Sequence, residues 1–109
     1  KSNLKGIKFI KMIKMEPKIK NSHWLSFITV RDRLIRDRLL SFLNSKGIET
    51  RSGFFSAHEM NIYKSFMNKK INYYNSRKTS STIITLPSSV SLDFQEIDYI
   101  CKLIKSFFK

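Results

Sequence analysis

The sequence predicts an α+β domain: a small sheet with two main helices packed on it. Three observations carry the prediction. Two runs are rich in β-formers, WLSFITV at 24–30 and TIITL at 82–86. Two apolar stripes at helical spacing, 35–43 and 97–107, each follow an Asp suited to cap a helix. A chain of 109 residues, 41% apolar and 13% aromatic, has enough material for one core and not for two.

Residues 1–21 read as a basic lead-in ahead of the domain proper at 22–109. Lys5, Lys8, Lys11 and Lys14 interleave with Ile7, Ile10 and Ile13 at a period of three. That period drifts about 60° per step around a 3.6-residue helix, so neither set keeps one face. A short strand is expected instead, then a loop around Pro17. In the run at 24–30, Trp24, Ser26, Ile28 and Val30 alternate with Leu25, Phe27 and Thr29, a mixture that suits an interior strand.

Asp32 opens the first helix as N-cap. Ile35, Leu39, Phe42 and Leu43 form its apolar stripe up to Lys46, and Gly47 is placed to cap it in the left-handed conformation. Arg33, Arg36 and Asp37 read as the solvated face. Residues 48–55 (IETRSGFF) predict a short strand, and 56–81 are polar, aromatic and weakly periodic. Such an excursion reads as a functional or partly mobile loop. TIITL is a second clear strand, stopped by Pro87. In the last helix Asp93 and Glu96 make a capping box, with Leu92 and Ile97 placed as a hydrophobic staple. Ile97, Ile100, Cys101, Ile104 and Phe107 mark its packing face.

The 21 Lys and Arg against 8 Asp and Glu give a net charge of +13, which on composition alone points to nucleic acid, an anionic membrane or an acidic partner. The abundance of Lys, Asn, Ile and Ser is also what an AT-rich coding sequence places on solvated surfaces. A nucleic-acid-binding module therefore stands as the alternative function, weakened by the lack of a stacking-platform motif and by basic residues scattered over several elements. Cys101 has no partner for a disulfide and sits on an apolar helix face, which fits a small core hydrophobe in a reducing, cytoplasmic setting. No apolar run approaches the ~20 residues that cross a bilayer, and the Lys-rich start lacks the apolar stretch of a secretion signal, so no membrane partner is expected. The chain starts at Lys1 and not at Met, as a piece or a processed form would.

Reactive groups are few. His23 and His58 lie far apart with no Cys or carboxylate cluster near either, so no metal site is expected. Gly6, Gly47 and Gly53 make no phosphate loop. Cys101 with His58 is a poor nucleophile pair, because Cys101 lies on the packing face. Lys69 and Lys70 follow a Ser-Phe-Met-Asn run, yet a Schiff-base lysine needs a buried site that lowers its pKa, and these sit in a polar stretch.

Taken in order, SHWLSFITV, RDRLIRDRLLSFLNSKGIETRSGFF, HEMNIY and TIITLPSSVSLDFQEIDYICKLIKSFF resemble the C-terminal small domain of the DegT/DnrJ/EryC/StrS nucleotide-sugar aminotransferases, above all the perosamine-synthase-like members. The resemblance covers most of 22–108, and GIETR, HEM-x-x-Y and LPSS-x-x-L-x-x-x-E-I carry most of its weight. It implies the C-terminal domain of a fold-type-I pyridoxal-phosphate-dependent transferase. It implies nucleotide-linked keto-sugars as substrates, in polysaccharide or deoxyaminosugar biosynthesis, with glutamate as the usual amino donor. The implied partners are a large cofactor-binding domain, in the same or a separate chain, and a second subunit with the active site at the dimer interface. No cofactor is expected in this chain itself; pyridoxal phosphate is implied for the intact enzyme, so this chain alone should not transfer an amino group.

By motif position the resemblance places Arg51 (of GIETR), His58 and Tyr63 (of HEMNIY) on the substrate side of the cleft. A guanidinium suits an anionic substrate group, and His and Tyr offer polar contacts to a sugar or its phosphates. The competing reading is that Arg51 and His58 satisfy local backbone groups. Ser52, Ser56 and Asn61 stand where family members often carry prolines, which frees the unfolded loop and costs roughly 0.4–1 kcal/mol at each compatible site. A third possibility is a non-catalytic interaction domain. Separation from a large domain would uncover apolar surface, for which Phe54, Phe55, Met60, Ile62, Phe66 and the Ile and Met residues of the lead-in are the candidates.

Overall fold

The strand at Ser26–Val30 (β2) organises the sheet, because it is paired on both sides. In the computed structural model, which describes residues 4–12, 16–22 and 24–109, its neighbours are Ile10–Met12 (β1) and Ile83–Leu86 (β4). Arg51–Ser52 (β3) adds an edge beyond β4, giving an antiparallel sheet in the order β1-β2-β4-β3. Ile28 lies opposite both Met12 and Ile84, so the β2–β4 pair brings two fully buried side chains together at the sheet centre. Ile13 and Lys14 of the lead-in, Lys1 and His23 lie outside the described residues.

Two helices cover one sheet face, as their stripes require. Arg33–Ser45 (α1) contributes Leu39 and Leu43, and Phe94–Phe107 (α3) contributes Ile100 and Ile104, to a core that also holds Leu4, Ile28, Val30 and Ile84. Both ends of α1 are built as the sequence requires. The Asp32 carboxylate accepts the Ile35 N–H at 2.9 Å. Gly47 has a φ of +77°, and the Gly47 and Ile48 N–H groups donate to the carbonyls of Asn44 and Leu43 in a Schellman arrangement. In α3, Asp93 accepts the Glu96 N–H at 2.7 Å while the Glu96 carboxylate accepts the Asp93 N–H at 2.9 Å.

Several expectations need correction. Residues 56–81 are not an open loop: they form two 3-10 helices, Ala57–Glu59 and Asn61–Phe66, and a helix at Tyr74–Thr82 (α2). The segment YNSRKTSST carries no apolar stripe. It is held by side chains from elsewhere: Arg36 Nη1 donates to the Ser80 carbonyl at 3.3 Å, and Ser76 Oγ donates to Ser56 Oγ at 3.1 Å. Arg36 is thus not part of a solvated face; its side chain is only 12% exposed and it ties α1 to α2. Thr82 closes α2, so β4 starts one residue later than the sequence run, and of 48–55 only Arg51–Ser52 pair as a strand. The lead-in also differs, since Ile7, Ile10 and Met12 pack against the core and only Ile19 among its described Ile and Met residues is exposed. Pairing of β1 with β2 puts them there.

Candidate substrate-facing site

The end of α1 sets the geometry of the candidate residues. The Schellman turn at Gly47 reverses the chain, and Asn44 Oδ1 then accepts both the Thr50 N–H at 3.1 Å and the Thr50 hydroxyl at 3.2 Å. Thr50 is thereby buried and Arg51 is delivered to the outer strand β3. The Arg51 guanidinium stands in solvent and forks onto Glu49 Oε1, at 2.6 Å from Nη2 and 3.1 Å from Nε. Among the described residues it therefore satisfies no backbone group. An exposed pair of this kind contributes about 0–1 kcal/mol, so an anion can exchange with the Glu49 carboxylate at little cost.

Past β3 the chain runs close to β4. Gly53 donates to the Ile83 carbonyl at 3.3 Å, and a Cβ at this position would collide with the Ile83 side chain. Phe54 and Phe55 then point outward, and Ser56 turns in. Three tethers close the base of the excursion that follows. Ser56 meets Ser76, the His58 ring stacks on Tyr73 at 4.6 Å between centroids, and Glu59 pairs with Arg77 at 3.5 Å. Together they hold the Ala57–Glu59 turn against the first turns of α2.

His58 lies inside this clasp. It is 9% exposed, and its buried Nε2 makes no hydrogen bond among the described residues. An unpaired buried polar atom costs roughly 1–3 kcal/mol, so His58 is a group whose hydrogen bonding the described residues leave incomplete. Tyr63 projects beyond the clasp on the second 3-10 helix and is half-exposed. Arg51, His58 and Tyr63 therefore each engage different surroundings: Glu49, Tyr73 and solvent respectively. A shallow cleft of about 620 Å³ opens between Phe27, Phe54, Ser56 and the α2 residues Asn75, Ser76 and Thr79; none of the three candidates is among its described lining residues.

Ser56, Tyr73 and Ser76 were not legible as site-forming residues. They belong to a stretch without periodicity, and the only signal was composition: small hydroxyl residues and tyrosines recurring where apolar ones do not. Cys101 lies on α3, partly buried against the core, and burial pushes its thiol pKa up. The His58 ring stacks on Tyr73, and its Nε2 makes no hydrogen bond to Cys101 among the described residues. Among the described residues no group of three or more His, Cys, Asp or Glu is placed to hold a metal ion. No helix among them is long and apolar enough to cross a membrane. Lys69 and Lys70 are exposed, as is every other described lysine.

A sequence model of the DegT/DnrJ/EryC1/StrS aminotransferase family matches residues 1–105. GDP-perosamine synthase of Vibrio cholerae is 32% identical over 90 residues, which cover 81% of this chain and 24% of that protein. DesV of S. venezuelae has the same fold with a TM-score of 0.88, at 18% identity, over 99% of this chain and 29% of that one. The PLP form of a Streptococcus pneumoniae sugar aminotransferase gives 0.84 at 22% identity, over 98% of this chain and 28% of that one. The chain thus spans about a quarter of the length of the relatives it matches.

Proposed function

The chain belongs to the DegT/DnrJ/EryC1/StrS aminotransferase family, and from that premise we propose that it is the small-domain portion of a pyridoxal-phosphate-dependent enzyme. That enzyme transfers an amino group to a nucleotide-linked keto-sugar in the cytoplasm. The observation that carries the reading is the coincidence of a family match over 1–105 with a fold match over 99% of the chain. Residues 22–109 form the small domain proper, and 1–21 are a lead-in that adds β1 to its sheet. A large cofactor-binding domain, in the same or a separate chain, and a second subunit complete the enzyme.

The described residues do not by themselves fit pyridoxal phosphate. The group needs a lysine in a buried, pKa-lowering site, and every described lysine is exposed. No step through the cofactor is therefore assigned to this chain. Its own residues bind and orient. Arg51 exchanges Glu49 for an anionic group of the substrate, His58 Nε2 takes a hydrogen bond from outside the domain, and Tyr63 offers a hydroxyl at the rim.

Two measurements test this. Incubation of the 109-residue chain with pyridoxal phosphate and borohydride is expected to leave no stoichiometric pyridoxyl-lysine; one such group per chain overturns the reading. Grafted in place of the matching quarter of the Vibrio cholerae relative, the chain is expected to restore amino transfer that the truncated relative lacks. Arg51→Ala in the graft should raise KM more than it lowers kcat, the signature of lost uniform binding.

A further inference from the structure

The charges of this chain are unevenly distributed over its surface. A cleft of about 960 Å³ opens between the residues leading into β2, the turn after β4 and the first turn of α3, and none of its described lining residues is charged, although 27% of the chain is. The smaller cleft beside α2 shares Phe27 and Phe54 with it, and its described lining residues are likewise uncharged, so the two adjoin in one face that carries no charge among the described residues. Large side chains stand open on it: Trp24 is 73% exposed, Phe54 70% and Phe94 88%. Ile97, expected to be covered by the α3 stripe and a staple with Leu92, is 39% exposed at the same rim.

Depletion of charge together with enrichment in aromatic residues is the composition of an interface core. A polyanion-binding groove has the opposite character, being lined with Lys and Arg. A second copy of this chain fits poorly, since two bodies of +13 repel. The relatives that share this fold carry about three quarters of their length outside the part matched here, and that remainder has to meet the domain somewhere. We infer that this uncharged face is where the chain docks on the remainder of the aminotransferase, with Trp24 and Phe94 as anchoring side chains. The inference rests on the function proposed above and adds to it the surface and the chemistry of the partner: an apolar, uncharged patch on the large domain.

Trp24 is the one tryptophan of the sequence, so a chain labelled with 5-fluorotryptophan gives a single ¹⁹F resonance from the larger cleft of the face. The probe is the Vibrio cholerae relative lacking the quarter that this chain matches, used after it has been shown to bind its own excised small domain. Its addition is expected to shift the Trp24 resonance. By calorimetry, Trp24→Asp and Phe94→Asp should each weaken the complex roughly thirtyfold or more, the scale of an interface hot spot. Leu34→Asp, 69% exposed on α1 and away from the face, should leave it unchanged. Both test positions are exposed, and Asp in the first turn of α3 suits a helix N-terminus, so the variants are expected to fold with an unaltered circular dichroism spectrum. Binding that neither variant weakens would overturn the assigned surface while leaving the functional reading intact. A probe that binds its own small domain and not this chain would overturn the docking itself, whereas the activity of the graft judges the function separately. Self-association of the chain alone that Trp24→Asp abolishes would make a second copy the occupant and overturn the inference as well.

Discussion

The frame formed by β2, α1, β4 and α3 and the excursion from Ser56 to Thr82 are stabilised in opposite ways. Among the described residues the five fully buried large side chains, Ile28, Leu39, Leu43, Ile84 and Ile104, all belong to the frame. In the excursion the buried residues are polar, namely Ser56, His58 and Thr82, while Ile62, Phe66 and Ile71 face outward. The frame is held by apolar area and the excursion by a handful of directed contacts between side chains. Removal from water is cooperative and spread over many atoms, whereas a tether acts locally. The frame can thus serve as a fixed platform, and the excursion can open or rearrange without unfolding it.

The largest test of that contrast is Ile84→Ala. It removes a fully buried side chain at the sheet centre, so a loss of about 2–5 kcal/mol is expected, read as a lower urea midpoint and a lower Tm. A loss under 1 kcal/mol would mean that the frame is not the cooperative unit. Next comes Gly53→Ala, where the frame meets the excursion. The added methyl collides with Ile83, and the strain of such overpacking is typically about 1–3 kcal/mol.

His58→Ala should act locally. Loss of the stack on Tyr73 removes about 0.5–1.5 kcal/mol, offset in part because a buried nitrogen without a partner goes with it. Amide exchange should accelerate across 56–82 and stay slow in α1 and α3. Equal acceleration in both regions would join excursion and frame into one unit. The smallest effect belongs to acid. The Asp32 carboxyl is held below its ordinary range, first by the Ile35 N–H and then by Arg31. Its folded pKa is depressed, so its contribution is complete above the unfolded value and fades as pH falls through the folded one. A modest drop in the urea midpoint below about pH 4 is expected, and Asp32→Asn should flatten it.

How much was legible follows the same division. The stripe Ile35, Leu39, Phe42 and Leu43, the caps at Asp32, Gly47 and Asp93, and the runs at 24–30 and 82–86 are local signals, and the elements formed where those signals stand. The excursion gave no such signal, because α2 is a polar helix of nine residues, too short to hold its conformation alone. Among the candidate residues, the motif order along the chain picked out Arg51, His58 and Tyr63, but not that Glu49 holds the first and Tyr73 the second. The exposed apolar side chains were half foreseen. Phe54, Phe55, Met60, Ile62 and Phe66 do stand open, whereas Ile7, Ile10 and Met12 are covered.

The sequence by itself determined which segments become strands and helices in the frame, where α1 and α3 are capped, and most of the residues they bury. Periodicity, capping and glycine chirality act within one turn or one strand, so the residues that carry them lie next to one another in the chain. Tertiary structure alone decided that β1 and Leu4 enter the same core, that Arg36 and Ser56 anchor a helix with no stripe, and that Trp24, Phe54 and Phe94 share one uncharged face. Those partners are separated by tens of residues, and no local pattern encodes a contact whose two halves meet only after the sheet has closed.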